Sequence, residues 1–330
     1  MMERKHTMQN RKVGLLLIAI LLALLLPAFG CGAAKKMVHK VRSPRTDLKK
    51  RVLVLPILDQ QGVGREKADE LTNRLAKALE RDPNLVVYTH EEPLPSTVTV
   101  RSPKFGIVID PDLAQKAEEM GMNVLVTCVL NRFEVIGYDP GVWPLNKIPV
   151  WPFTAKEPQL EVSMVVNALN ITNGTLFLTN QEQIHLRVPT QEETQKELIV
   201  VEGEERRSET EMIAAVPEAA REEAFLEVVD AQAEKLVEGL REQIWAGRVL
   251  SAGPEKIMIN AGQDIGLSEG RVFEVFGRGA PIRSVSGRSL YLLGPKVGEI
   301  QTVQVMERYA SAVPVEGADF RAGQVIREKP

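Results

Sequence analysis

The residue with the clearest chemical role in this sequence is Cys31, whose thiol follows an apolar segment near the N-terminus. Four basic residues precede the unbroken apolar run Val13–Leu26, namely Arg4, Lys5, Arg11 and Lys12. A basic leader, an apolar run and small residues at a cleavage point make up a secretory signal. The run is shorter than the roughly 20 residues of a membrane-spanning helix, and Pro27 ends a helix there. We therefore predict that residues 1–30 are a signal peptide, cleaved before Cys31.

The residues Ala28-Phe29-Gly30-Cys31 resemble the lipobox of bacterial lipoproteins, whose usual form is Leu, a small residue, Gly or Ala, and then Cys. Gly30 and Cys31 match that form, Ala28 is tolerated, and Phe29 departs from it. The resemblance implies a diacylglycerol thioether on Cys31 and acylation of the new amine, which together hold a protein firmly in lipid. Gly32, in place of the Asp of inner-membrane retention, implies the periplasmic face of the outer membrane. An uncleaved anchor and an ordinary signal peptide are the alternatives.

Charge and composition argue against several other functions. Removing residues 1–30 leaves 37 basic and 43 acidic residues, a net charge of −6, so nucleic acid is not an expected partner. Cys128 lies in an apolar run typical of a core strand and has no second cysteine once Cys31 carries lipid. The histidines of the mature chain lack metal-ligand spacing; they are His39, His90 and His185. Without a nucleophile elbow, P-loop or dinucleotide motif, the sequence predicts no enzyme, cofactor or metal.

The pattern of apolar residues divides the mature chain into segments. Residues 31–50 are polar and basic and predict a flexible tether. From 51 to 246, short β-branched runs alternate with helical spacing, which predicts an α/β domain. Its strands are predicted at 51–58, 85–90 and 123–137, and its helices at 65–81, 110–120 and 217–245. Alternating runs on either side of Asn173-Gly174 predict a hairpin, and the charged stretch 191–216 predicts a loop or an irregular helix start.

The pattern changes at Gly247, where helical spacing gives way to short β runs punctuated by glycine. Many short strands of this kind are typical of a small antiparallel barrel or sandwich. We therefore predict a second, all-β domain over residues 247–330. Its glycines are expected at strand ends, where tight turns need positive φ.

Three motifs of the first domain stand in an order found in known proteins, Val54-Leu55-Pro56, Met120–Thr127 and Asn173-Gly174. They resemble the α/β domain shared by the TolB N-terminal, curli-secretion-channel (CsgG) and flagellar H-ring protein (FlgT) middle domains. In those relatives a glycine usually follows the position of Thr127, where this chain has Cys128. The resemblance implies a TolB-N/CsgG-like α/β sandwich over residues 51–246.

The second domain carries a "G-x-V … I-x-I-N-x-G … G-x-x-x-G-x-x-F-x-V" pattern, at Gly247, Val249, Ile257, Ile259, Asn260, Gly262, Gly266, Gly270, Phe273 and Val275. It resembles the C-terminal domain of FlgT-like proteins, which implies an SH3-like barrel and a part in flagellar basal-body ring assembly. FlgT proteins carry a further small domain and a plain signal peptide, whereas a lipid tether takes that place here. A role in the assembly of another envelope complex is therefore the alternative.

The segment 138–158 combines large aromatic residues with prolines that prevent regular structure. Exposed aromatic rings are costly unless they pack on something. We predict that Trp143, Trp151 and Phe153 form a docking surface for a partner or a neighbouring subunit. Packing against their own domain and contact with the membrane surface are the alternatives.

Two functional hypotheses follow from these features. The first is a non-catalytic scaffold or assembly lipoprotein of the outer membrane, bound to lipid through Cys31 and to envelope proteins such as flagellar or secretion components, with homo-oligomers as an option. The second is a subunit of a CsgG-like secretion channel, in which the hairpin within 160–188 supplies spanning strands. A lipoprotein activator of an envelope enzyme uses the same fold and cannot be separated by sequence.

Overall fold

The computed structural model describes residues 48–89, 100–102, 106–107, 111–136, 158–189, 209–253, 255–283 and 289–329. They form a mixed α/β part followed by an all-β part, as predicted. The strands of the first part are β1 Lys50–Val54, β2 Leu58–Asp59, β3 Leu85–Thr89, β4 Val100–Ser102, β5 Gly106–Ile107, β6 Val124–Ile136, β7 Gln159–Asn170 and β8 Thr175–Arg187. Its helices are α1 Arg65–Glu80, α2 Pro111–Glu119, α3 Glu209–Ala215 and α4 Glu218–Glu242.

A six-stranded mixed sheet forms the centre of the first part, in the order β3-β1-β6-β7-β8, with β2 also bonded to β6. β1 runs parallel to β3 and β6, whereas β6, β7 and β8 are antiparallel neighbours. The predicted hairpin is confirmed, because Asn170 pairs with Thr175 across the turn. Gly174 supplies the positive φ of 73° that this turn requires.

Helices cover both faces of this sheet. On one face α1 and α4 pack against the apolar side chains of β1, β6 and β7. The buried apolar positions of α1 follow the predicted helical spacing, Ala68, Leu71, Leu75 and Leu79. On the other face α2 packs its buried Leu113 and Ala117 against the sheet. As an interior strand, β7 is buried on both faces from Leu160 to Leu169.

The second part is a closed six-stranded barrel in the order β10-β13-β12-β11-β14-β9, so the predicted small barrel is confirmed. Its elements are β9 Gly247–Ala252, β10 Ile257–Ile259, a 3₁₀ turn Gln263–Ile265, β11 Val272–Arg283, β12 Ser289–Val305, β13 Ala310–Gly317 and β14 Val325–Glu328. Trp245 is buried in the barrel core, with its ring centroid 5.7 Å from that of Phe273. The barrel therefore takes in a core residue from before its first strand.

The fold begins slightly earlier than the sequence predicts. Leu48 is buried in the barrel core, the Lys49 amide donates to the Ile265 carbonyl at 2.9 Å, and Lys50 starts β1. The last three residues assigned to the tether 31–50 therefore belong to the folded unit. The end of the charged stretch 191–216 forms the short helix α3. Among the residues described above, no helix is long and apolar enough to cross a membrane.

Candidate interaction surface

The site residues predicted from the sequence lie outside the described residues, and they are Cys31, Trp143, Trp151 and Phe153. Lipidation at Cys31 and docking through the aromatic segment 138–158 therefore stay predictions. The described residues contain two other features with the chemistry of an interface. One is a buried polar junction between the sheet and the barrel, and the other is an exposed extension of the barrel.

Arg51 is the centre of the junction. It lies on β1 and is only 2% exposed, yet its guanidinium reaches into the barrel. Nε and Nη2 each donate to a carboxylate oxygen of Asp264 at 2.7 Å. Nη1 donates to the Asn260 carbonyl at 2.7 Å, and Nη2 also donates to the Arg308 carbonyl at 2.9 Å. A charged side chain is tolerated in a protein interior when it is paired with an opposite charge and hydrogen-bonded in this way.

Two asparagine side chains complete the junction. Asn123, next to β6, accepts from the Arg51 amide at 2.8 Å and donates to the Ala246 carbonyl at 2.7 Å. Asn260, at the end of β10, accepts from the Arg248 amide at 2.6 Å. The Asn123 side chain therefore connects β1 to a segment 123 positions further along the chain, whereas Asn260 joins the neighbouring strands β9 and β10. Both asparagines stand in the motifs quoted above, and the sequence analysis did not recognise their role.

A second ion pair crosses the same junction. Arg248 of β9 is buried, and its Nη1 lies 2.6 Å from an Oε1 atom of Glu118 on α2. Its Nη2 donates to the Thr172 carbonyl, in the turn between β7 and β8, at 2.9 Å. The barrel is thus tied to β1, to α2 and to the hairpin turn. The described residues from Leu48 onward belong to one compact unit.

The motif glycines of the barrel serve two different purposes. Gly266 has a φ of 83°, which agrees with the predicted role in a turn. Gly262 has extended backbone, but a Cβ there would overlap the Glu307 carbonyl oxygen and the Arg308 backbone. The glycine at 262 is therefore required by close packing of two backbone segments and not by positive φ.

The exposed feature is the outer part of the β11–β12 hairpin, which we call the arm and define as residues 277–283 and 289–297. Pairing of β11 with β14 ends at Phe276, and pairing of β12 with β13 ends at Gly298. Beyond those points, among the described residues, β11 and β12 pair only with each other. The arm exposes large apolar side chains, Ile282 at 47%, Leu292 at 62% and Leu293 at 38%.

A cavity of 670 Å³ lies at the base of the arm. Its lining includes Arg278, Arg321 and Asp319, together with Gly323. Arg278 also lies 3.7 Å from the Glu118 carboxylate, which connects the arm to the junction. The cavity therefore lies beside the arm, with Arg278 and Val297 belonging to both.

The Gly62-Val63-Gly64 loop after β2 is occupied by a side chain of the protein itself. The Asp59 carboxylate accepts from the amides of Gln61, Gly62 and Gly64, each at 2.9 Å. Burial by itself raises the pKa of this carboxyl, but the backbone donors outweigh burial and hold the pKa below its ordinary value. The loop is thus a strand–helix turn whose amides already donate to a side chain of the protein.

Cys128 and His185 are two further side chains that could react, and the contacts of each indicate a structural role. Cys128 is fully buried in the sheet core, and burial raises the pKa of its thiol far above the ordinary value. His185 Nε2 lies 3.8 Å from the buried Glu161 carboxylate, which also pairs with Arg132 at 3.2 Å. In the part of the chain that the structure describes, no group of three His, Cys, Asp or Glu side chains is placed to hold a metal ion.

No protein-family profile and no curated protein sequence matches this chain. Among solved structures, it is similar to the hypothetical protein CT253 of Chlamydia trachomatis, with 13% identity, 56% of this chain and 96% of that chain covered, and a TM-score of 0.32. The PelC dodecamer of Paraburkholderia phytofirmans has 8% identity, 61% and 94% coverage, and a TM-score of 0.31. Lipoprotein GNA1162 of Neisseria meningitidis has 13% identity, 41% and 78% coverage, and a TM-score of 0.23. Likenesses this distant assign no function.

Proposed function

We propose that this protein is a lipid-anchored lipoprotein of the bacterial envelope that acts as a non-catalytic assembly or scaffold component. The observation that carries the proposal is the N-terminal sequence, in which a basic leader and the apolar run Val13–Leu26 lead into Gly30-Cys31. Anchorage on the periplasmic face of the outer membrane follows from Gly32 after the cysteine. Lipid at Cys31 would fix the protein to the membrane. The length of chain between Cys31 and Leu48 would set how far from the membrane the folded unit can reach.

That reach can be estimated from the chain length. Sixteen residues, 32–47, separate Cys31 from the first described residue. At about 3.5 Å per residue they span at most about 55 Å. The folded unit could therefore contact either the membrane surface or a periplasmic partner while Cys31 stays in lipid.

The junction supports a scaffold role for the folded unit. A scaffold must hold its binding surfaces in a fixed relation. Two ion pairs with buried arginines connect the sheet to the barrel, Arg51–Asp264 and Arg248–Glu118. We further propose a TolB-N/CsgG-like α/β domain, a FlgT-like SH3-like barrel and a part in flagellar basal-body ring assembly, on the sequence motifs quoted above. Deleting the gene and imaging the motors should then remove ring density, whereas intact rings with normal motility would exclude the flagellar version.

The channel alternative loses its candidate spanning strands. The hairpin within 160–188 forms β7 and β8, and β7 is buried on both faces in the core of the sheet. A channel would need spanning strands from other residues. Ion conductance of the purified protein in a planar bilayer would revive the channel hypothesis.

Replacement of Cys31 tests the anchor. Cys31→Ala should abolish metabolic labelling with a fatty-acid analogue and release the protein from membranes washed with alkaline carbonate. Cys128→Ala is the matched control, because this buried thiol cannot be a lipidation site and the variant should stay labelled and bound. If Cys31→Ala remains in washed membranes, the apolar run is an uncleaved anchor and the proposal fails.

A further inference from the structure

The arm of the barrel is built in a way that the scaffold role does not explain. An isolated two-stranded hairpin is only marginally stable in water, and the arm extends beyond its last strand neighbours by seven residues on β11, from Gly277 to Arg283. At about 3.3 Å per residue this corresponds to on the order of 20 Å. The exposed leucine and isoleucine side chains on this extension form an apolar surface that a membrane or another molecule can bury.

The exposed apolar side chains lie on both faces of the arm. Leu292 and Leu293 are consecutive residues of β12, and successive side chains of a strand point to opposite faces. Both are exposed, at 62% and 38%, so neither side chain is covered by the part of the chain that the structure describes. Exposed apolar side chains grouped in this way mark a contact site for a protein or a membrane.

The edges of the arm are poorly suited to pairing with a further strand. The β11–β12 register shifts between Phe276 and Arg278 and again between Arg278 and Pro281. Bulges of this kind twist an edge away from added strands, and a proline such as Pro281 or Pro295 offers no N–H donor there. The arm therefore presents side chains, and not backbone hydrogen bonds, to whatever covers it.

The charge of the residues in and around the arm favours one kind of lipid surface over others. The chain as a whole is acidic, with 44 Asp and Glu against 41 Lys and Arg, yet no acidic residue occurs from Val275 to Gly298. Within the arm the charged residues are all basic, Arg278, Arg283 and Lys296. Arg278 and Lys296 pair with carboxylates outside the arm at its base, whereas Arg283 stands at the outer end of β11, opposite Ser289. Basic residues beside exposed apolar ones match an anionic phospholipid surface.

We propose that the arm inserts its apolar side chains, Ile282, Leu292 and Leu293, into an anionic phospholipid membrane. This inference deepens the proposed function, since the lipid on Cys31 brings the protein to the bilayer while the arm orients the folded unit on it. The arm needs only a weak contact of its own, because its binding is intramolecular once the anchor is in lipid. The barrel would then face the membrane through a defined edge instead of rotating freely on its tether.

A fluorescent label at position 292 tests the proposal on the mature, lipidated protein. Leu292→Cys carries an environment-sensitive NBD fluorophore, and Leu250→Cys on β9 is the matched control, because Leu250 is also an exposed barrel leucine but lies on a strand not bonded to β11 or β12. The native Cys128 is buried and does not compete for label. The vesicles are phosphatidylcholine with and without phosphatidylglycerol, with brominated lipid as the quencher.

We expect the label at 292 to shift to blue emission and to be quenched on vesicles that contain phosphatidylglycerol, while the label at 250 stays water-like. Arg283→Ala should weaken insertion of the arm about fivefold on the same vesicles. Flotation of the protein with the vesicles reports the Cys31 anchor separately. A protein that floats while the label at 292 stays water-like overturns the arm proposal alone. Equal quenching without phosphatidylglycerol overturns the anionic preference, and a blue shift on self-association without vesicles assigns the arm to a contact between copies.

Discussion

Replacement of Arg51 by methionine is the perturbation that bears most directly on how the folded unit is held together. Methionine keeps an unbranched apolar stem and removes the guanidinium. In the native structure that group donates to both carboxylate oxygens of Asp264 and to the carbonyls of Asn260 and Arg308. The variant leaves these acceptors inside the junction without their donor, so the sheet and the barrel lose their central connection.

The magnitude follows from burial. Removing one partner of a buried ion pair costs about 3–5 kcal/mol. Asp264 is 14% exposed, so water recovers part of its solvation, and we expect Arg51→Met to lower the free energy of unfolding by about 3 kcal/mol. For a unit of this size that corresponds to a fall in Tm of roughly 6–12 °C. Combining Arg51→Met with Asp264→Leu should cost less than the sum of the single changes, because no buried charge is left unpaired.

Urea unfolding is the assay, followed by circular dichroism for the whole unit and by Trp245 fluorescence for the barrel core. Trp143 and Trp151 are replaced by phenylalanine so that Trp245 reports alone. Lys235→Ala removes an exposed pair with Glu238 and is the control, expected to change stability by less than about 0.5 kcal/mol. A loss below about 1 kcal/mol for Arg51→Met would refute the reasoning.

Three further predictions concern the core, the charges and the barrel. Cys128 should resist alkylation in native buffer and react only at the rate of unfolding, and fast labelling would contradict its burial. Burial raises the pKa of the Asp82 carboxyl, but the Asn84 amide and the Arg241 guanidinium outweigh it and keep the pKa below its ordinary value, so the stabilisation is present above about pH 4 and is lost as the pH falls through the folded-state pKa. Asp82→Asn should therefore cost about 2 kcal/mol at pH 7 and flatten the acid limb of the stability curve, which urea unfolding from pH 7 to 3 checks. Gly262→Ala should lose about 3 kcal/mol in thermal unfolding through backbone overlap, whereas Gly253→Ala, with 3.5 Å to the nearest atom, should be near neutral.

Local patterns in the sequence were enough to predict most of the elements. Helical spacing in α1 and α4, alternation around Asn173-Gly174 and glycine-punctuated runs after Gly247 all correspond to structure. These signals are local because they depend on the periodicity of one element and on the φ that a turn requires. The predicted lipidation of Cys31 is likewise a local motif, and it stays a prediction.

Only the tertiary structure decided how those elements meet. Arg51 and Asp264 are separated by 213 positions, and nothing in either neighbourhood marks them as partners. Asn123 and Asn260 stood in recognised motifs, but their role depends on the Ala246 carbonyl that Asn123 meets and on the Arg51 guanidinium that meets the Asn260 carbonyl. The arm is likewise invisible in the sequence, since it is defined by where β13 and β14 stop pairing. Long-range pairing is set by the packing of the whole chain, whereas periodicity and turn chemistry are set within a few residues, and that difference separates what the sequence determined from what it could not.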